Sequence, residues 1–177
     1  MRTLSPVKGA LVAAACAMAL LPAGAAQAGD STAGPTADSG ASPMNVQDSD
    51  DNPYGEAAER ARVCNDAYQI GKTGYIVRKG QRIGSVKQFY SPRCNRNYGY
   101  LYVWKSFRQK HRYYSTNIAV YDFNTKKLVG LRVWNRTSQA SFWSYPANTV
   151  RHCTAARGVI RAPGDVKQNF AYSSKRC

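Results

Sequence analysis

From residue 74 to residue 172, apolar and polar positions alternate in short runs. Tyr98-Gly99-Tyr100-Leu101-Tyr102-Val103-Trp104 sets Tyr98, Tyr100, Tyr102 and Trp104 on one face and Leu101 and Val103 on the other. Farther on, Val129, Leu131 and Val133 share one face, and Leu128, Arg132 and Trp134 the other. A period of two marks half-buried strands. The same reading predicts strands over 74–78, 83–90, 98–105, 117–123, 128–135, 140–145, 150–154 and 166–172, with 124–127 joining two of them as a hairpin. Ahead of them, residues 55–63 favour a short helix with Glu56 and Glu59 in its first turn. Short strands at this spacing predict an all-β fold, a small barrel or sandwich with a short N-terminal helix.

The opening of the chain reads differently. Arg2 and Lys8 flank the start of an apolar run from Gly9 to Leu21, and Ala26-Gln27-Ala28 is a small-x-small cleavage site. Residues 1–28 are therefore expected to be a signal peptide. Cys16 is a poor lipid anchor, because Ala13 stands where Leu is preferred and a better cleavage site follows. Residues 29–55 are rich in Ser, Gly, Ala, Pro and Asp and predict an acidic disordered leader, leaving 56–177 as a basic disulfide-bonded β domain. No later apolar run approaches the roughly 18 residues of a membrane-spanning helix, so a soluble mature protein is expected.

Charge sharpens this division. The whole chain carries 25 Lys plus Arg against 10 Asp plus Glu, a formal +15. Residues 61–177 hold 22 of those bases and only three acids, Asp66, Asp122 and Asp165, so the domain stands at +19. Such a surface attracts polyanions.

Cys16 leaves with the signal, and Cys64, Cys94, Cys153 and Cys177 remain. An even count in an exported chain predicts two disulfides. Zinc is disfavoured, and no metal or other cofactor is expected: there is no Cys-x-x-Cys pair and the two histidines lack ligand spacing. An internal echo suggests the pairing. Cys64, then Gly84-Ser85-Val86-Lys87-Gln88, an aromatic pair, Ser91 and Cys94 is matched by Cys153, then Gly164-Asp165-Val166-Lys167-Gln168, Phe170, Tyr172, Ser173 and Cys177. Similar units should close similarly, which predicts Cys64–Cys94 and Cys153–Cys177.

Cys64, Gly84-x-Val86, Phe89-Tyr90-Ser91-Pro92-Arg93-Cys94 and the aromatic strand that follows resemble a secreted actinobacterial domain family of unknown function, whose signature is Cys, about thirty residues, then Tyr-Ser-Pro-x-Cys. The likeness covers about residues 61–135. Where that family has a single Trp soon after its second Cys, this chain has Tyr98, Tyr100, Tyr102 and Trp104, and the Cys153/Cys177 pair lies outside the matching segment. The resemblance implies a secreted disulfide domain and no particular activity.

Two stretches carry candidate chemistry. Tyr98, Tyr100, Tyr102 and Trp104 form a ring row able to stack bases or sugars. Lys105, Arg108, Lys110 and Arg112 follow, set among Phe107, Tyr113 and Tyr114, a pattern suited to anionic wall polymers, nucleic acid or acidic glycans. The same rings also suit cross-strand core packing, with the basic segment a solvated loop. The expected function is thus a secreted non-catalytic module that binds polyanions. An alternative is a ribonuclease-like enzyme with His111 and His152 as acid and base; another is an inhibitor of a secreted protein. Glycoside hydrolysis needs two carboxylates, and only Asp66, Asp122 and Asp165 are on offer. Nucleophile-elbow, phosphate-loop and zinc-protease motifs are absent from the sequence.

Overall fold

A computed structural model describes residues 52–177. The expected signal peptide and most of the acidic leader lie outside the described residues. Helix α1 (Glu56–Glu59) comes first, then β1 (Tyr68–Arg78), β2 (Gln81–Ser91), β3 (Arg96–Val103), α2 (Lys105–Lys110), β4 (Tyr114–Asp122), β5 (Lys127–Thr137), β6 (Ser141–Trp143), β7 (Thr154–Arg161) and β8 (Asn169–Tyr172). The strands form two antiparallel four-stranded sheets, ordered β1-β2-β3-β6 and β5-β4-β7-β8. The fold is all-β, and of the two expected architectures it is the sandwich.

The alternation of β3 decides where the core lies. Leu101 and Val103 turn toward the second sheet and pack with Val86, Ile118, Phe142 and Ile160. Tyr98, Tyr100 and Tyr102 turn the other way and join Phe89 and Trp143 in a separate cluster, roofed by Ala58, Ala61, Val63 and Ala67. Both faces of the first sheet are thereby covered. Small residues allow the sheets to close: a Cβ at Gly158 of β7 would sit 2.7 Å from Val86 Cγ2. Along one edge β1 meets the chain around β8. Ser174 N–H donates to Lys72 O at 2.9 Å, and Lys72 N–H donates to Ser174 Oγ at 2.7 Å.

Three expectations need correction, and the orientation of a fourth strand is set by the structure. The strand expected over 150–154 is a turn closed by His152 N–H on Thr149 O, and the real strand is β7. Its Ala155, Ala156 and Gly158 have weak strand preference, yet all three positions are closely packed or covered: the two alanines are fully buried, and at Gly158 a Cβ would crowd Val86 and Leu101. The strand expected over 98–105 ends at Val103, and Lys105–Lys110 forms α2 with Phe107 buried. Residues 166–168 precede β8 instead of belonging to it. In β5 the aliphatic face points outward, with Leu131 at 42% and Val133 at 57% exposure, while Trp134 packs on the core. Register shifts between β4 and β5 accompany that orientation.

The disulfides are Cys64–Cys94 and Cys153–Cys177, the pairing the echo predicts. Each encloses one hairpin, β1–β2 or β7–β8. The echoed motif itself is not equivalent in the two halves. Gly84–Gln88 lies inside β2, whereas Gly164–Gln168 forms the turn before β8, with Gly164 at φ 81°. What the halves share is the crosslinked hairpin, not the conformation of the motif.

Candidate functional site

At one end of the sandwich, four segments distant in sequence come together. The β1–β2 connection is the two-residue turn Lys79-Gly80, with φ of 48° and 77°; left-handed backbone at both positions gives a tight hairpin. It presents Arg78, Lys79 and Arg82. Helix α2 contributes Lys105, Arg108 and Lys110, anchored by buried Phe107, whose ring meets Tyr114 at 5.5 Å and His111 at 4.6 Å. The β7–β8 turn brings Asp165, and Arg136 and Arg161 come from the ends of β5 and β7.

The arrangement is organised around one ion pair. Arg78 Nη2 donates to Asp165 Oδ1 at 2.7 Å, and Nε lies 3.1 and 3.0 Å from the two carboxylate oxygens. Asp165 Oδ2 also accepts from Ala162 N–H and Asn169 Nδ2, each at 3.0 Å. The Arg78 guanidinium first, and these other donors with it, outweigh burial and hold the Asp165 carboxyl at about 2. The remaining Arg78 nitrogen, Nη1, lies 3.5 Å from His111 Nε2. Only the guanidinium can donate in that contact, so it favours a neutral ring with its proton on Nδ1. Burial, then the positive charges of Arg78, Lys110 and Lys79, pull the His111 pKa below its ordinary value, against the opposing pull of Asp165.

These groups border a cleft of about 190 Å³ between the β1–β2 turn and α2. Arg78, Lys79, Gln81, Arg82, Ser106, Lys110 and His111 supply its polar lining. A second hollow of about 240 Å³ lies by Tyr113, Ser115, Arg136, Arg161 and Gly164. There the guanidinium carbons of Arg112 and Arg136 stand 5.3 and 4.9 Å from the Tyr113 ring centre. Arg82 likewise stands 4.3 Å from the Tyr75 ring, which meets Trp104 edge-on at 6.1 Å.

The expected ring row is not open to solvent. Tyr98 and Tyr100 are 0% exposed and Tyr102 is 6% exposed, because α1 and the segment after it cover that face of the sheet. Those three rings pack the protein; the stacking platform expected from them is corrected. Trp104 is half-buried, at the root of α2. Lys105, Lys110 and Arg112 are exposed, whereas Arg108 is drawn inward, its Nε donating to Val103 O at 2.9 Å.

The two histidines stand apart. His111 is linked through Phe107 to Tyr114 at the start of β4, and His152 Nδ1 lies 2.7 Å from Asp122 Oδ2 at its end. The nine-residue strand separates them by roughly 25 Å at 3.3 Å per residue. A proton relay pairing them across one substrate does not fit this geometry. The end near His152 is also basic, carrying Lys126, Lys127, Lys175 and Arg176, but it holds Asp66 and Asp122 as well. A hollow of about 160 Å³ there has Arg176 as the single Lys or Arg in its lining.

Arg78, Arg82, Arg136, Arg161 and Asp165 were not legible as a site, since no local motif joins them. The weak signal available was Asp165 directly after Gly164 in an evident turn. No family model, curated protein or solved structure matches this chain.

Proposed function

We propose that the protein is a secreted, non-catalytic module that holds extracellular polyanions against the end of the sandwich formed by the β1–β2 turn, α2 and the neighbouring ends of β5 and β7. The observation that carries this reading is the fate of the three carboxylates in residues 61–177. Asp66 is taken by Ser91 and the Arg93 backbone, and Asp122 by His152; of these three, Asp165 is the one in a salt bridge with an arginine. Lys79, Arg82, Lys105, Lys110 and Arg112 are exposed around a concave surface with that single acid beside them. Rings that carry guanidinium groups, Tyr75 and Tyr113, border it. Two disulfides suit an oxidising compartment, and none of the described helices is long and apolar enough to cross a membrane.

Counterion release makes such binding steeply dependent on salt. The test is retention on immobilised heparin, polygalacturonate and RNA across a salt series. Alanine at Lys105, Arg108, Lys110 and Arg112 should lower affinity at least tenfold and flatten the salt slope. Alanine at Lys126, Lys127, Lys175 and Arg176, at the opposite end, should do much less. Equal losses would reduce the reading to diffuse cationic adhesion, and no retention in dilute buffer would end it.

A further inference from the structure

The cleft between the β1–β2 turn and α2 is concave, and its central group is held in place. Arg78 is fixed by its contacts with Asp165, and His111 is fixed by Phe107. Around them stand two ammonium groups, from Lys79 and Lys110, a second guanidinium from Arg82, and the Ser106 hydroxyl.

We propose that this cleft is a binding site for the phosphoryl group of a phosphomonoester. The inference rests on the polyanion reading and gives that surface a specific chemistry. Two features favour a phosphoryl dianion over other anions, and a third gives the site a readout. First, the fork of Arg78 that would suit a planar carboxylate, Nε with Nη2, is already occupied by Asp165, which leaves the exposed Arg82 as the one guanidinium of the lining whose forks are not taken by an acid. Beside Arg82, the donors are single ones, from Arg78 Nη1, Lys79, Lys110 and Ser106 on the hairpin and the helix, a set that suits a tetrahedral group accepting through several oxygens. Second, Arg78 is neutralised by Asp165, while Lys79, Arg82 and Lys110 add three further charges. A phosphomonoester carries about −1.5 to −2 at neutral pH, so each of those charges attracts it more strongly than it attracts a sulfate ester or carboxylate monoanion. Third, His111 faces Arg78 and Lys79 from the hairpin, Lys110 from its own helix, and Asp165 from the β7–β8 turn. A bound dianion would offset much of the positive field acting on that ring, so binding should raise its titration midpoint.

The volume of about 190 Å³ holds a phosphoryl group with a few attached atoms. The cleft therefore reads the phosphate more than its carrier.

The experiment titrates the oxidised protein at constant ionic strength with glycerol 1-phosphate, methyl sulfate and acetate, following the two histidine rings by NMR. The expected result is saturable binding of glycerol 1-phosphate at least tenfold tighter than the two monoanions. His111 should shift and its midpoint rise, with His152 unmoved. Arg82→Gln and Lys110→Gln, both at exposed positions, should together weaken that binding tenfold or more, while Lys126→Gln with Lys127→Gln leaves it unchanged. Uridine 5′-monophosphate and a phosphoserine peptide in the same assay distinguish the carriers; comparable binding of all three supports recognition of the phosphoryl group itself. Equal affinity for all three anions, equal movement of His152, or an unaffected double variant would overturn the site. Retention on heparin, polygalacturonate and RNA, measured alongside, separates the two readings. If retention persists without phosphomonoester binding, this inference alone fails; if both are absent, the polyanion reading fails with it.

Discussion

Ser91 and Asp66 form a hydrogen bond of 2.6 Å, the hydroxyl donating to Oδ1, across the turn that leads into Cys94. Ser91 Oγ also accepts from Cys94 N–H at 3.0 Å, and Asp66 Oδ2 accepts from Arg93 N–H at 2.8 Å. The Ser-Pro-Arg-Cys stretch is thus a pinned corner that brings Cys94 to Cys64. Ser91→Ala should cost about 1–3 kcal/mol, because it strips partners from polar groups at a buried position. Urea denaturation of the oxidised protein checks this, and a loss within error of zero would show that the turn holds without the hydroxyl.

Each crosslink spans a modest loop, with sequence separations of 30 and 24 residues. In the chain-entropy model either one contributes about 3–4 kcal/mol. Replacing Cys153 and Cys177 together by Ser should lower the denaturation midpoint by a corresponding amount, and so should replacing Cys64 and Cys94. Comparing the two double variants by guanidinium titration measures both contributions.

Acid should destabilise the fold through Asp122 and Asp165. Burial pushes the Asp122 carboxyl up, but hydrogen bonds from His152, Thr125 and the Asn124 backbone outweigh it and leave it at about 2. Asp165 sits at about 2 as well, held there first by Arg78. Both lie below the ordinary aspartate value of 3.8. Their stabilisation is fully present above that value and is lost as pH falls through 2. Melting temperature should therefore hold down to about pH 4 and drop steeply below it. Asp122→Asn should melt lower at neutral pH and show a shallower acid slope than the native chain.

Tyr98→Ala or Tyr100→Ala should destabilise by about 3–5 kcal/mol, the cost of emptying a buried aromatic site. Polymer affinity of whatever fraction stays folded should not change. A stable Tyr100→Ala protein with weakened polymer binding would instead restore the ring row as a contact surface.

Gly74 of β1 lies so close to β8 that an added Cβ would fall 1.9 Å from the Tyr172 carbonyl oxygen. Gly74→Ala should therefore push the two strands apart and cost about 1–3 kcal/mol. At Gly80 a Cβ meets nothing within 4 Å. Alanine there faces only the left-handed backbone, at about 1 kcal/mol. Thermal melts of the two variants should rank in that order.

The strands were readable wherever a side chain's neighbours two positions away share its environment. Leu101 and Val103 against Tyr100 and Tyr102 is such a case, and both faces separate as the alternation predicts. β7 was not readable, because its composition answers to space between the sheets: Ala156 and Gly158 are small for packing reasons that no local propensity encodes. The ring row shows a different limit. Alternation places Tyr98, Tyr100 and Tyr102 on one face, but whether that face meets water depends on α1 and the segment after it, far upstream in the chain. The cleft was invisible for a similar reason. Arg78, Lys110 and Asp165 are neighbours only after a hairpin, a helix and a second hairpin have been placed, whereas the disulfide pairing followed from two local loops that each close on themselves.

Because each crosslink ends where its own hairpin ends, no covalent tie reaches the strands between Cys94 and Cys153. An oxidised molecule anchored at one end and tugged at the other would release that middle stretch at up to about 3.5 Å per residue. The two loops would stay clamped at fixed length. Its extension under load therefore has a hard stop that only a reductant removes.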